Sequence, residues 1–254
     1  MLKTITLIYG GLSYFVGVAG LASIIAVMGR FMPYGYLWGE ENFAMNAIFW
    51  NTLLVALWGF VHSYMARPSF KAKITKVIPE PAERATYVLV AGVMSILLTG
   101  FWMHIPGTVW MIESGSAVYL LLGVFWFGWA LTFAATFAIN HFDLFGLRQV
   151  YLNFKNQPRP PLKFVKRAMY KYIRHPIQTG VMIGIWATPV MTNTQLVLTL
   201  GFTAYIFIGL WFEERDLIRE HGQDYLDYKQ EAGKLLPKFG KKNGGNKQDN
   251  YAAQ

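Results

Sequence analysis

The sequence predicts an all-α polytopic membrane protein with five to six transmembrane helices, a C-terminal helical hairpin and a cytoplasmic amphipathic helix. Of its 254 residues, 54% are hydrophobic and only 15% are charged, whereas a soluble domain usually carries about 25% charged residues. The charges are also clustered. Stretches without Asp, Glu, Lys or Arg are 42–66, 85–112, 114–140 and 175–212. Each is long enough to cross a bilayer, because a spanning helix needs about 20 mostly apolar residues.

The apolar stretches define the predicted helices in chain order. The first four spans are 5–29, 43–65, 86–103 and 118–139, and the hairpin has arms at 177–191 and 195–212. The first arm of the hairpin is short and contains Pro189, so it is expected to tilt or to insert only partly. Five crossings and six crossings therefore both remain open.

The C-terminal third adds two segments of different character. Residues 213–236 have the pattern of an amphipathic helix, which Gly222 is expected to kink or split. The tail has the composition of a disordered segment. The chain is thus divided into an N-terminal four-helix region, a second region with the hairpin, and the tail, at 1–140, 141–237 and 238–254.

The Lys and Arg residues predict the orientation in the membrane. Loops 66–85 and 141–174 are rich in them, whereas 104–117 contains none. Because cytoplasmic loops carry an excess of Lys and Arg, both termini and the two basic loops are expected in the cytoplasm. This distribution also explains the net charge of +9, so no nucleic-acid partner is predicted.

Several kinds of site are excluded by missing residues or motifs. The chain has no cysteine, which excludes disulfides, zinc–thiolate sites and a cysteine nucleophile. It also lacks a Gly-rich strand–turn–helix signature, a P-loop and an HExxH motif, so a soluble-type nucleotide site is not expected. Any small-molecule site is therefore expected among helices at the membrane boundary.

Two polar motifs flank the hairpin and should meet at one membrane face. Arg174-His175-Pro176 precedes its first arm, and Glu213-Glu214 follows its second. Proline removes a backbone N–H and holds the preceding residue extended, which leaves backbone groups free for a ligand. The alternatives are an interfacial His before a proline-initiated helix, and a carboxylate that orients Arg174. Both remain open at this point.

A third polar motif ends the fourth span. His141 and Asp143 lie in Asn140-His141-Phe142-Asp143, and such a pair can accept or donate a proton. Ordinary helix termination by polar residues is the alternative. His62 and Arg84 add polar groups at the same predicted depth. Ionisable residues at a membrane boundary tend to mark function.

These motifs resemble the isoprenylcysteine carboxyl methyltransferase-like family. The resemblance covers about 165–237 and rests on Arg174-His175-Pro176-Ile177-Gln178-Thr179-Gly180, Glu213-Glu214 and Gly222-x-x-Tyr225-x-x-Tyr228. Gln178 replaces the tyrosine that is usual in the family. Three further blocks, at 62–67, 83–87 and 140–149, resemble the methanethiol S-methyltransferase branch and extend the likeness over most of the chain.

The resemblance implies S-adenosylmethionine as methyl donor, without a metal, in a cytoplasm-facing pocket of the 141–237 region. It implies a small thiol substrate, with methanethiol converted to dimethyl sulfide, and a place in the bilayer of a bacterial inner membrane. It implies cofactor-binding roles for Tyr170, Arg174, His175, Pro176, Gln178, Gly180, Glu213 and Glu214. Tyr87 and Arg148 are the expected substrate-binding residues.

The reaction requires a thiolate, because the thiolate is the nucleophile. We hypothesise that His141, supported by Asp143, accepts the thiol proton. The donor sulfonium also lowers the pKa of a nearby thiol, so a dedicated base is not obligatory.

Other functions are compatible with the same pattern. An isoprenylcysteine or other thiol or carboxyl substrate would keep the methyltransferase chemistry. An NADPH-dependent membrane reductase of the sterol-reductase kind shares the C-terminal motifs. A non-enzymatic protein that binds haem or lipid, with His62 and His141 as haem ligands, is a third alternative. The oligomeric state is open.

Overall fold

The computed structural model describes residues 1–37, 44–160 and 166–238. The predicted disordered tail lies outside the described residues except for residue 238. The helices are α1 Leu2–Met28, α2 Ala44–Met65, α3 Pro68–Ile74, α4 Glu83–Gly100, α5 Ser116–Ile139, α6 His141–Leu144, α7 Leu147–Phe154, α8 Pro176–Trp186, α9 Asn193–His221 and α10 Gln223–Glu231. Two strands, β1 Thr108–Met111 and β2 Val190–Thr192, form an antiparallel ribbon. The predicted all-α polytopic class is confirmed.

Five helices of the described part are long and apolar enough to cross a membrane: α1, most of α2, Glu80–Gly100, α5 and α9. Large apolar side chains cover their outer faces, among them Phe15, Phe60, Phe127 and Phe207, each at least half exposed. Soluble monomers rarely expose contiguous apolar surface of this kind. The outer faces are therefore suited to lipid, and the protein is an integral membrane protein.

The first arm of the predicted hairpin, at 177–191, is short, as expected, and the described residues contain five spanning helices rather than six. The helix of this arm, α8, ends at Trp186 after 11 residues, which is about 16 Å at about 1.5 Å per residue and too short for a hydrocarbon core of about 30 Å. A non-helical segment at 187–192 follows α8. It includes β2, the second strand of the ribbon, and leads directly into α9. Composition could not reveal this end, because the apolar run continues unbroken through the segment.

Buried hydrogen bonds make this irregular segment tolerable within an apolar layer. The Thr188 carbonyl accepts a hydrogen bond from the Trp110 indole at 3.0 Å, and the Ile185 carbonyl accepts one from Thr199 at 3.3 Å. Non-helical backbone is found at membrane depth only where the protein itself covers and satisfies it. The short α8 therefore packs inside the bundle against α5.

Close helix pairs depend on glycines at two interfaces. Between α1 and α4, a Cβ on Gly20 would lie 2.5 Å from the Gly92 carbonyl oxygen. Between α5 and α8, a Cβ on Gly128 would lie 2.5 Å from the Gly184 nitrogen and 2.7 Å from the Gly180 carbonyl oxygen. Small residues allow helix backbones to approach this closely, which is the main source of packing energy between membrane helices.

Replacing Gly128 by alanine is expected to lower the thermal unfolding temperature in detergent, because the added methyl group would overlap backbone atoms of α8. Overpacking of this kind costs about 1–3 kcal/mol. Gly123→Ala on the same helix is the control, since a Cβ there meets nothing within 4 Å. It should be neutral or stabilising, because alanine favours helix over glycine by about 1 kcal/mol. Equal unfolding temperatures for both variants would contradict the close packing.

The last long helix continues beyond the predicted membrane boundary. Helix α9 runs to His221, and Gly222, with φ 55°, separates it from α10. The predicted interruption at Gly222 is confirmed, whereas the amphipathic helix does not begin at 213. Continuation keeps Glu213 and Glu214 away from the C-terminal end of the helix, where the negative end of the macrodipole disfavours carboxylates.

Candidate active site

A buried ion-pair network joins the two motifs that flank the hairpin. Glu214 Oε1 accepts hydrogen bonds from Arg174 Nε at 2.8 Å and from His175 Nε2 at 3.2 Å, and it lies 2.7 Å from Arg174 Nη2. Lys229 Nζ lies 3.4 Å from Glu214 Oε2. The Arg174 and Glu214 side chains are only 7% and 10% exposed. The sequence prediction that these motifs meet is confirmed by these contacts.

The chain after α10 closes over the same turn. The backbone N–H of Arg174 donates to the Gly233 carbonyl at 2.8 Å, and that of His175 donates to the Lys234 carbonyl at 3.2 Å. Arg174 Nη1 also donates to the Ala232 carbonyl. The Thr179 hydroxyl donates to the Leu235 carbonyl at 2.7 Å. The hydrogen-bonding groups of the Arg174 turn are therefore directed into the protein.

A cavity of about 650 Å³ opens beside this network. Its size is within the usual range for small-molecule sites, about 300–1,000 Å³. Helices α1, α2, α4, α5, α8 and α9 all contribute to its wall. The polar lining includes His62, Ser63, Arg67, Arg84, Tyr87, Thr132, Thr136, Gln178, Tyr205, Glu213 and Asp216. The apolar lining includes Leu21, Ile24, Trp58, Val88, Trp129, Val181 and Phe202.

The charged groups of the cavity are not all paired. Arg67 Nη1 lies 3.2 Å from Asp216 Oδ2. The Glu213 carboxylate is half exposed, with His175 Nδ1 at 3.8 Å. The Arg84 guanidinium lies 4.7 Å from the centre of the Tyr87 ring, its Nε donates to a backbone carbonyl at 2.7 Å, and within residues 1–37, 44–160 and 166–238 it has no carboxylate partner. Within the described part of the chain, the Glu213 carboxylate and the Arg84 guanidinium are therefore the charged groups that the cavity offers to a ligand.

Aromatic rings form the wall next to these charges. The His62 ring stacks on Trp58 with 4.5 Å between centroids and meets Tyr87 edge-on at 5.3 Å. Tyr205 lies edge-on to the same Trp58 ring at 4.9 Å. The indole nitrogen of Trp129, which also lines the cavity, is buried and has no acceptor among the described residues. Such a wall can hold a cation against ring faces.

The predicted base His141 is buried outside the cavity lining. Its Nδ1 lies 2.8 Å from the Thr136 hydroxyl and its Nε2 lies 3.0 Å from the Tyr14 hydroxyl. The Thr136 hydroxyl donates to the Phe133 carbonyl at 2.7 Å, so we assign the His141 proton to Nδ1 and the accepting role to Nε2. Burial lowers the pKa of His141. Both ring nitrogens are therefore occupied by protein groups.

The partners predicted for His141 are also outside the cavity lining. Asp143 is buried, and its carboxylate lies 3.7 Å from Arg159 rather than against the imidazole. Arg148, expected to bind substrate, lies on α7. The predicted roles of His141, Asp143 and Arg148 stay predictions that this geometry does not favour.

The predicted cofactor-binding residues fall into two groups. Gln178 and Glu213 line the cavity, as does the predicted substrate residue Tyr87. The others support the turn and its helix, and they are Tyr170, Arg174, His175, Pro176, Gly180 and Glu214. Burial raises the pKa of Tyr170, whose hydroxyl donates to the Ala135 carbonyl at 3.4 Å. Pro176 begins α8, and a Cβ on Gly180 would overlap Thr132.

Sequence reasoning missed several residues of the cavity wall. Trp58 and Ser63 lie on α2 beside His62, and Trp129 and Thr132 lie on α5. Trp58 lies one helical turn before His62, and this spacing is evident in the sequence. Aromatic and hydroxyl residues are nevertheless frequent in membrane helices, so their presence alone does not indicate a site. Which of them face the cavity depends on helix rotation, which composition does not specify.

Comparison with known proteins identifies the family. The phospholipid methyltransferase family model matches residues 117–224. The chain is 38% identical to a methanethiol S-methyltransferase of Mycobacterium tuberculosis, over 93% of this chain and 98% of that protein. It is 40% identical to methanethiol S-methyltransferase 2 of Bradyrhizobium diazoefficiens, over 92% and 90%. A methanethiol S-methyltransferase of Crocosphaera subtropica is 36% identical, over 94% of each chain. No solved structure matches.

These relatives cover more than 90% of the chain and so extend well beyond the C-terminal motifs. The resemblance that the polar motifs suggested is confirmed, and the protein is a methyltransferase. The chain belongs to the methanethiol S-methyltransferase family.

Proposed function

We propose that this protein transfers the methyl group of S-adenosylmethionine to a small thiol, methanethiol, and releases dimethyl sulfide. The observation that carries the proposal is the cavity beside the Arg174–Glu214 pair. There a carboxylate, aromatic faces and a guanidinium with no carboxylate partner among the described residues meet. The names of relatives that align over more than 90% of the chain support the same substrate.

The donor fits the groups that the cavity offers. S-adenosylmethionine carries a carboxylate, an ammonium and a sulfonium, and when bound it supplies an electrophilic methyl group. Arg84 would hold the carboxylate and Glu213 the ammonium, since hydrogen bonds between charged groups are the strongest available. The faces of Trp58, Tyr87 and Tyr205 would stabilise the sulfonium by cation–π contact.

The Arg174 turn has a positioning role in this proposal. The resemblance implies a cofactor-binding role for Arg174, but its guanidinium already binds Glu214 and backbone carbonyls. Glu214 is likewise occupied by Arg174, His175 and Lys229. Between the adjacent acids we therefore assign donor contact to Glu213. The network fixes the start of α8, and with it Gln178, against the cavity.

A small apolar thiol suits both the location and the lining. Methanethiol partitions into lipid and needs no aqueous channel, and the inner part of the cavity is apolar around Leu21, Ile24 and Phe202. Orientation follows the basic loops: both termini and the charged end of the cavity would face the cytoplasm of a bacterial inner membrane. The donor would enter from the cytoplasm and the thiol from the bilayer.

Headspace gas chromatography of the purified protein in detergent tests the reaction. With S-adenosylmethionine and methanethiol, dimethyl sulfide should form in a one-to-one ratio with S-adenosylhomocysteine. Omission of either substrate should abolish the product. Methylation of an isoprenylcysteine analogue in place of methanethiol would reject the substrate but keep the chemistry. Oxidation of NADPH without use of S-adenosylmethionine would reject the methyltransferase and favour the reductase.

A further inference from the structure

His62 is the histidine that the cavity wall presents to a ligand. It lies on the last turn of α2, stacked on Trp58, and within residues 1–37, 44–160 and 166–238 neither of its ring nitrogens has a hydrogen-bond partner. His141 differs in both respects, because its nitrogens are bonded to Thr136 and Tyr14. A free imidazole nitrogen at a ligand cavity is available for proton transfer.

The other titratable groups of the cavity are less suited to this task. Asp216 is paired with Arg67, and Glu213 is assigned to the donor ammonium. A neutral imidazole nitrogen carries a lone pair that can accept a proton, whereas a guanidinium stays protonated and has none to offer. Tyr87 and Tyr205 are ordinarily protonated at this pH and can donate hydrogen bonds to sulfur.

We propose that His62 is a catalytic residue that accepts the proton of the thiol substrate, an inference that rests on the proposed function. The S–H proton moves to the free ring nitrogen of His62. A sulfur lone pair forms the new bond to the methyl carbon, and the electron pair of the broken carbon–sulfonium bond returns to the donor sulfur. The products are dimethyl sulfide, S-adenosylhomocysteine and an imidazolium, which then releases its proton to water.

The surroundings of His62 support this role. Trp58 and Tyr87 hold the ring in place from two sides without using its nitrogens. Trp58 and Tyr87 are also among the residues assigned to the sulfonium, so the proton acceptor and the methyl donor are next to one cavity wall. A base in such a position typically contributes about 10²–10⁴-fold to the rate.

The test compares two substrates of nearly equal size in one preparation of His62→Gln. Methanethiol is mostly protonated near neutral pH, whereas methaneselenol is a much stronger acid and already ionised. Methanethiol turnover should fall about 100-fold or more, while methaneselenol turnover should change little. The ratio of the two rates is independent of the fraction of folded protein. His62→Asn provides the same comparison if the first variant is not produced.

His141→Gln is the matched variant at the other histidine. It removes two buried hydrogen bonds, so any loss should be equal for the thiol and the selenol. Equal losses, or no loss, for both substrates in the His62 variants would overturn the proposal. A thiol-selective loss in His141→Gln alone would overturn it in favour of His141. If the wild-type protein methylates neither substrate, the proposed function itself fails.

Discussion

Replacing Arg174 by methionine is expected to leave little correctly folded protein. The substitution removes the partner of a carboxylate that is only 10% exposed and the hydrogen bonds from Arg174 Nη1 to the Lys229 and Ala232 carbonyls. Breaking a buried ion pair from one side costs about 3–5 kcal/mol, which is a large part of a total stability of about 5–15 kcal/mol. Thermal unfolding in detergent, followed by tryptophan fluorescence, measures the loss.

Arg219→Met on α9 is the control for charge and side-chain size. Arg219 is 70% exposed and pairs with Asp216 at 3.2 Å, and an exposed pair of this kind is worth about 0–1 kcal/mol. The double variant Arg174→Met, Glu214→Gln should be more stable than Arg174→Met alone, since it leaves no unpaired buried charge. Similar unfolding temperatures for Arg174→Met and Arg219→Met would contradict a structural role for the network.

Replacing Glu213 by glutamine is expected to weaken S-adenosylmethionine binding without a change in unfolding temperature. Glu213 lines the cavity and is half exposed, so its charge is more important for a cationic ligand than for the fold. Loss of a hydrogen bond between charged groups costs about 1.5–3 kcal/mol, which corresponds to roughly 10- to 100-fold in the dissociation constant. Isothermal titration calorimetry with the donor measures this change.

Glu220→Gln, at an exposed position two turns further along α9, controls for the removal of a negative charge. It should bind the donor as the wild-type protein does. A result in which Glu213→Gln also binds normally, while Glu214→Gln loses the donor without loss of stability, would reverse the roles of the two acids.

The sequence alone could not distinguish these acids, because neighbours on a helix differ by about 100° in direction. The meeting of Arg174-His175 with Glu213-Glu214 was predictable, since an uncharged hairpin of this length returns to its starting face. The break at Gly222 was predictable as well. In the first case the length of one uncharged segment determines the structure, and in the second a single glycine does.

Features that depend on packing between distant segments were not predictable. The end of α8 at Trp186 has no signal in hydropathy, and the ribbon of β1 with β2 joins segments 80 residues apart. The motif at 140–143 correctly indicated a polar boundary, but α6 turns His141 toward Tyr14 and Thr136 and away from the cavity lining. The sequence indicates His62 only as one polar group among several and as a haem ligand in an alternative function. That its nitrogens have no hydrogen-bond partner among the described residues becomes evident only with its neighbours in place.

A crystal structure grown with S-adenosylhomocysteine is the measurement that decides whether the cavity is the site of methyl transfer. We expect the product in the cavity, its ammonium at Glu213, its carboxylate at Arg84, and its sulfur on the side of Tyr87 and His62. Arg174 should remain bound to Glu214. Product bound outside this cavity, or held by Arg174 after separation from Glu214, would contradict the assignment of the site.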